Sequence, residues 1–226
     1  MTYHITGLIS AAIFLLTIGG LWAQLGLLWE RQRQATSDVD AAERPTAVLS
    51  VNQFVSSFLA FFSFFLYGAC LERFNHYLVW PRLGASILTL AVLFEIMRDR
   101  RDRVATIAFV ACSALMIGAS VMLAVIPGAA VWGRAFSQSL IVVATVVLAQ
   151  GYLHQVVLIR RTGSTGGVSA RLHQFLLWKD LSTIAFALTM GALTGWPIML
   201  LSMVSAVTKL ITLWHFRWVR LSRVSR

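Results

Sequence analysis

The chain has 226 residues, of which 58% belong to the hydrophobic set and only 12% are charged. That balance excludes an ordinary soluble domain and fits several membrane spans. The formal charge of +10 would suit nucleic acid, but 17 of the 19 basic residues are arginines, most of them in short segments between apolar runs. Membrane topology demands that distribution, so no nucleic-acid partner is expected.

Seven runs stand out by length and apolarity, at residues 5–29, 50–70, 77–96, 104–126, 135–159, 172–191 and 196–214. Each approaches or exceeds the ~20 residues that a helix needs to cross hydrocarbon at ~1.5 Å per residue. None alternates with period two, which argues against barrel strands. The first run lacks a basic leading segment and is longer than the apolar part of a signal peptide, so it is read as a retained helix. The expected fold is therefore an all-α membrane protein with seven transmembrane helices.

Orientation follows from the arginines between runs. The segments after runs 1, 3, 5 and 7 hold Arg31, Arg33, Arg44, Arg98, Arg100, Arg101, Arg103, Arg160, Arg161, Arg171, Arg217, Arg220, Arg223 and Arg226. The opposite side has Arg73, Arg82 and Arg134. The positive-inside rule then puts the N-terminus outside and the C-terminus in the cytoplasm, which requires an odd number of spans. The expected location is the cell (inner) membrane.

The two ends of the chain also echo each other. Trp80-Pro81 opens run 3 and Trp196-Pro197 opens run 7. Ala23-Gln24 late in run 1 matches Ala149-Gln150 in run 5, and Asn52-Gln53-Phe54 matches His173-Gln174-Phe175. The offsets are 126, 121 and 116 residues in chain order, drifting slowly as loop lengths change. Ordered matches of this kind predict a duplication: a first three-helix repeat at 1–103, a linker helix and loop at 104–133, and a second repeat at 134–226. One linker span leaves both units in the same orientation, a 3+1+3 parallel repeat of triple-helix bundles.

With that arrangement the chain resembles the PQ-loop superfamily, which includes the SWEET sugar transporters, cystinosin-type amino-acid transporters and the KDEL receptors. The resemblance is carried by Ala149-Gln150 and the following turn Arg161-Thr162-Gly163-Ser164-Thr165-Gly166-Gly167-Val168-Ser169, and in the first half by Ala23-Gln24 and Tyr67-Gly68. It implies a transporter that moves a small polar metabolite (a sugar, an amino acid or an organic acid) by alternating access. It also admits a non-transporting receptor or accessory protein of the same fold. Both halves have Ala where the family has Pro, and the first cytoplasmic loop is longer and acidic, with Asp38, Asp40 and Glu43. No asparagine lies in run 3 or run 7, where SWEET-like sugar sites place one.

Four ionisable residues fall inside or at the edge of runs: Glu95, Lys179, Asp180 and Lys209. Asp180 lies nine positions beyond Arg171 and Lys209 eight before Arg217. Equal depth, about 12–14 Å from the cytoplasmic flank, allows an ion pair between runs 6 and 7. Such a pair is either a gate or coupling site or a static device that fixes packing. A disengaged Lys209 would instead favour a substrate with a carboxylate. Lys179 is expected to snorkel to the headgroups and Glu95 to sit at the interface. Gln24, Gln150, Asn52, Gln53, His173 and Gln174 offer polar contacts and Trp178 an aromatic wall, unless they serve interhelical hydrogen bonding. Trp80, Pro81, Trp196 and Pro197 are read as interfacial anchors in a first helical turn, with a part in an outer gate left open. The phenylalanines of run 2 suit lipid and helix contacts.

His4, His76, His154, His173 and His215 have no metal spacing, Cys70 and Cys112 imply no disulfide, and no nucleophile elbow or phosphate loop is present. Neither an enzyme nor a metal or other cofactor is expected. The expected partners are the lipid bilayer and a small polar solute, with homo-oligomer formation left open.

Overall fold

A computed structural model describes residues 1–37, 46, 49–162 and 170–224. The turn at 163–169, the acidic loop residues Asp38, Asp40 and Glu43, Arg44 and Arg226 lie outside the described residues. Among the described residues the chain is all-helical: α1 (Thr2–Ser37), α2 (Val51–Ala69), α3 (His76–Arg100), α4 (Arg103–Val125), α5 (Ala129–Thr162), α6 (Ala170–Thr189) and α7 (Ala192–Val224).

Local chemistry sets several of the boundaries. Ser50, Asn75 and Asp102 each accept a hydrogen bond from the amide three residues on, at 3.3, 3.2 and 2.6 Å, and so cap α2, α3 and α4. Arg101, in the left-handed region at φ 52°, turns the chain out of α3. The helices α1 and α7 continue well past the apolar runs that announce them, because polar and basic residues also extend a helix, and α5 starts six residues before its run.

Among the described residues, six helices are long and apolar enough to cross a membrane; the exception is α6. Arg171, Lys179 and Asp180 interrupt its apolarity, so the seventh expected span does not qualify on composition alone. The surface of α4 supports the membrane reading most directly. Its buried positions are Ala105, Cys112 and Met116, which form a single seam. Ile107, Val110, Ile117, Val121 and Val125 are exposed around the rest of that helix, an apolar surface suited to hydrocarbon and not to water.

The chain divides into two compact units, Phe14–Leu140 and Met1–Ile13 with Ile141–Arg226, so α1 and α5 each contribute to both. In the first unit α2 packs on α3, and α4 lies against both. Phe58 and Phe62 stack at 5.5 Å among Leu66, Val92, Leu93 and Ile96, all fully or almost fully buried. The phenylalanines of α2 therefore serve helix contacts, and lipid takes little part. In the second unit α6 packs on α7. The first turns of α1 join it through Thr6 to Thr189 (3.1 Å) and Ser10 to Thr183 (3.4 Å). Gly191 makes the α6–α7 turn at φ +83°, and a Cβ on Gly195 would fall 2.1 Å from the Ala187 carbonyl oxygen. Only glycine lets the two backbones approach that closely.

Candidate functional site

Close approach at the turn lets α6 and α7 run together with little room for large side chains between them. The face of α7 toward this contact is accordingly small and polar: Ser202, Ser205, Thr208 and Thr212 are buried. Ser205 and Lys209 are four residues apart, hence on one face. Asp180, the eleventh residue of α6, meets them.

The result is a compact ion cluster. Lys209 Nζ donates to Asp180 Oδ2 at 2.6 Å, and Ser205 Oγ donates to the same oxygen at 2.7 Å. Lys209 Nζ also contacts Ser205 Oγ and lies 3.5 Å from the Ser205 carbonyl oxygen. Asp180 and Lys209 are 1% and 2% exposed. The expected pair is thus formed, which removes the disengaged-lysine reading of Lys209 in this conformation.

Lys179 departs from expectation. Its ammonium lies 2.9 Å from Asp180 Oδ1, with the side chain only 19% exposed. Adjacent residues point in different directions around a helix, but a four-carbon stem is long enough to fold back. A nearby carboxylate then outcompetes a distant headgroup. Two cations share one anion, so the cluster carries one surplus positive charge. The ring of Tyr152 on α5 lies 5.3 Å from Lys209 Nζ, a cation–π contact that eases this excess. Trp178, read as the aromatic wall, is 67% exposed, and Tyr152 fills that role. His173 is buried with its ring 6.1 Å from Tyr152, edge on.

Farther along α7, Arg160 Nε donates to His215 Nε2 at 2.7 Å while Nδ1 of the ring lies 2.7 Å from the Ile211 carbonyl oxygen. Those partners require the neutral tautomer with the proton on Nδ1. Gln150 is exposed and plays no part in the cluster.

Gln24, Asn52, Gln53 and Glu95 lie in the unit Phe14–Leu140. Asn52 and Gln53 are exposed at the start of α2, and Gln24 is half-buried on α1. Glu95 is buried beyond its expected interfacial place: it accepts from Trp29 Nε1 at 3.0 Å and Gln32 Nε2 at 2.9 Å and pairs with Arg98 at 3.0 Å. Three donors make burial of that carboxylate tolerable. Beside them lies an open cleft of about 400 Å³ lined by Trp29, Gln32, Arg33 and Arg98.

The two Trp-Pro pairs occupy the fifth and sixth positions of α3 and α7. Each proline is therefore in the second turn and not, as expected, the first. There it removes one helical hydrogen bond, to the carbonyl four residues back. Trp80 is exposed and donates to His76 Nδ1 at 3.0 Å; Trp196 is also exposed, while both prolines are buried.

Arg82 was counted with the loops, yet it is the seventh residue of α3 and 2% exposed. The sequence signal for it is its place inside the apolar run at 77–96, directly after Trp80-Pro81. No protein-family model and no curated protein matches the chain.

Proposed function

We propose that this chain is a multi-pass transporter of the cell (inner) membrane that moves a small polar metabolite by alternating access. In this reading α6 crosses with the other six helices as a 3+1+3 parallel repeat, with the N-terminus outside and the C-terminus cytoplasmic. The resemblance to the PQ-loop superfamily points the same way.

The observation that carries the reading is a difference between corresponding positions. Lys209 is the eighteenth residue of α7, and the eighteenth residue of α3 is Leu93, equally buried. An apolar residue therefore packs that position of a Trp-Pro hairpin, and the charge on α7 is not a packing requirement. Intramembrane charge of this cost is kept where it changes partners during a working cycle. Asp180, held by Lys179 and Lys209 together, can release one lysine to a passing solute and keep the other.

The test is uptake into proteoliposomes of a labelled panel of sugars, amino acids and organic acids, with and without a proton gradient. Wild-type protein should take up at least one class, and Lys209→Leu should fold but lose about tenfold or more in rate, as loss of a charged hydrogen bond predicts. Uptake unchanged in Lys209→Leu would reduce the cluster to packing. No flux of any solute by folded protein would favour a receptor or accessory role.

A further inference from the structure

Arg82 is the least compensated charge among the described residues. Its guanidinium carbon lies 3.9 Å from the centroid of the Phe14 ring and 5.8 Å from that of Phe64. Nε and Nη1 are buried with no hydrogen-bond partner among the described residues, and no described carboxylate forms an ion pair with the group. The position is about 9 Å along α3 from its first residue, inside a helix long and apolar enough to span. Ring contacts recover part of the cost of burying the cation, but they satisfy no N–H donor.

Packing does not require an arginine here. The residue that follows Trp196-Pro197 is Ile198, fully buried at the corresponding seventh position of α7. One hairpin thus fills the place with an aliphatic side chain, and the other fills it with a cation that lacks an anion. Lys209, by contrast, receives its carboxylate from the chain itself.

We infer that Arg82 is a binding site for the carboxylate of a small organic monoanion. A single guanidinium balances one negative charge, and its planar N–H groups match the two oxygens of a carboxylate. A dianion would leave a net charge among apolar rings. Phe14 and Phe64 provide an apolar wall for the body of the solute. A lipid phosphodiester has the same charge, but Arg82 and both rings face the packed interior and not the lipid surface. The inference rests on the transporter reading in one respect: a site closed in this conformation must open to load, and the solute held there is the transported one.

The experiment uses the full chain in maltoside micelles, which carry no phosphate, and follows thermal unfolding during titration with benzoate and with its neutral isostere benzamide. Benzoate should raise the unfolding temperature saturably and benzamide should not. Arg82→Gln should weaken the benzoate response by about tenfold to a hundredfold, the usual effect of losing a charge-assisted hydrogen bond. Arg82→Ile, which copies the other hairpin, should fold at least as stably as wild type and show no response, so that loss of binding is separable from loss of structure. Equal responses to benzoate and benzamide, or a benzoate response that survives in Arg82→Ile, would overturn the site. So would stabilisation that depends on Arg82 but is produced by added phosphatidylglycerol and not by benzoate. Benzoate binding that needs Arg82, without flux in proteoliposomes, would keep the carboxylate site and remove the transporter reading. Flux that is indifferent to Arg82→Ile, together with no benzoate response in the wild type, would do the reverse.

Discussion

Asp180 is held by two ammonium groups, and that imbalance sets the order in which substitutions at the cluster should act. Asp180→Asn leaves Lys179 and Lys209 facing one another in a buried site, and the expected cost is about 3–5 kcal/mol. Lys209→Ala should cost less, because Lys179 remains 2.9 Å from the carboxylate. Joining Asp180→Asn to Lys209→Met removes one stranded cation and should restore part of the loss. Unfolding temperatures of the four proteins in one detergent measure the series; equal losses for Asp180→Asn and Lys209→Ala would show that Lys179 shares no charge with Asp180. The Asp180–Lys209 pair was legible in the sequence because both residues lie at similar distances from arginine-marked ends. The parts played by Lys179, Ser205 and Tyr152 were not, since depth alone says nothing about which way a side chain turns. Arg82 was hidden by a different rule: a basic residue near the end of an apolar run is ordinarily a flank.

At the scale of elements, the α6–α7 hairpin depends on one absent side chain. Gly195→Ala would place a Cβ 2.1 Å from the Ala187 carbonyl oxygen, a backbone atom that cannot move aside without shifting α6. The helices must separate, and overpacking of this kind costs about 1–3 kcal/mol. Separation would also stretch the Asp180–Lys209 contact, which lies on the same two helices. Gly151→Ala on α5 serves as the control, because its Cβ would meet open space and should be neutral or slightly stabilising. Comparing the unfolding temperatures of both variants with wild type checks this; equal behaviour would mean that α6 and α7 adjust without strain. All seven helices were legible from the length of their apolar runs. Their extensions were not, because hydropathy marks where a helix is buried in hydrocarbon and is silent beyond it. The place of Pro197 was missed for a related reason: α7 begins four residues before Trp196, in sequence too mixed to announce a helix. Pro81 was legible, since the run at 77–96 begins one residue after the first residue of α3 and already puts that proline beyond the first turn.

For the whole molecule, the unresolved tension is that the arginine pattern needs an odd number of spans while α6 is too polar to be counted on composition. The ion cluster gives the charges of α6 partners on α7. On an isolated helix, Lys179 and Asp180 would each add about 2.5–3.5 kcal/mol to the cost of insertion. Docked on α7, Asp180 is paired with both lysines and bonded to Ser205, so the same charges become internal contacts. We therefore expect α6 to cross only as a hairpin with α7. A reporter active outside the cytoplasm, fused after residue 190 of a chain that ends there, should be silent, because α6 without α7 stays on the cytoplasmic side. The same reporter inserted between residues 190 and 192 of the full chain should be active. Asp180→Asn in that full chain should lower the active fraction, because it strands both lysines. Activity in the shortened chain would show that α6 inserts without its partner, and the cluster would then have no part in assembly. Silence in both would place the C-terminal helix on the same side as the N-terminus and reduce the number of spans to six.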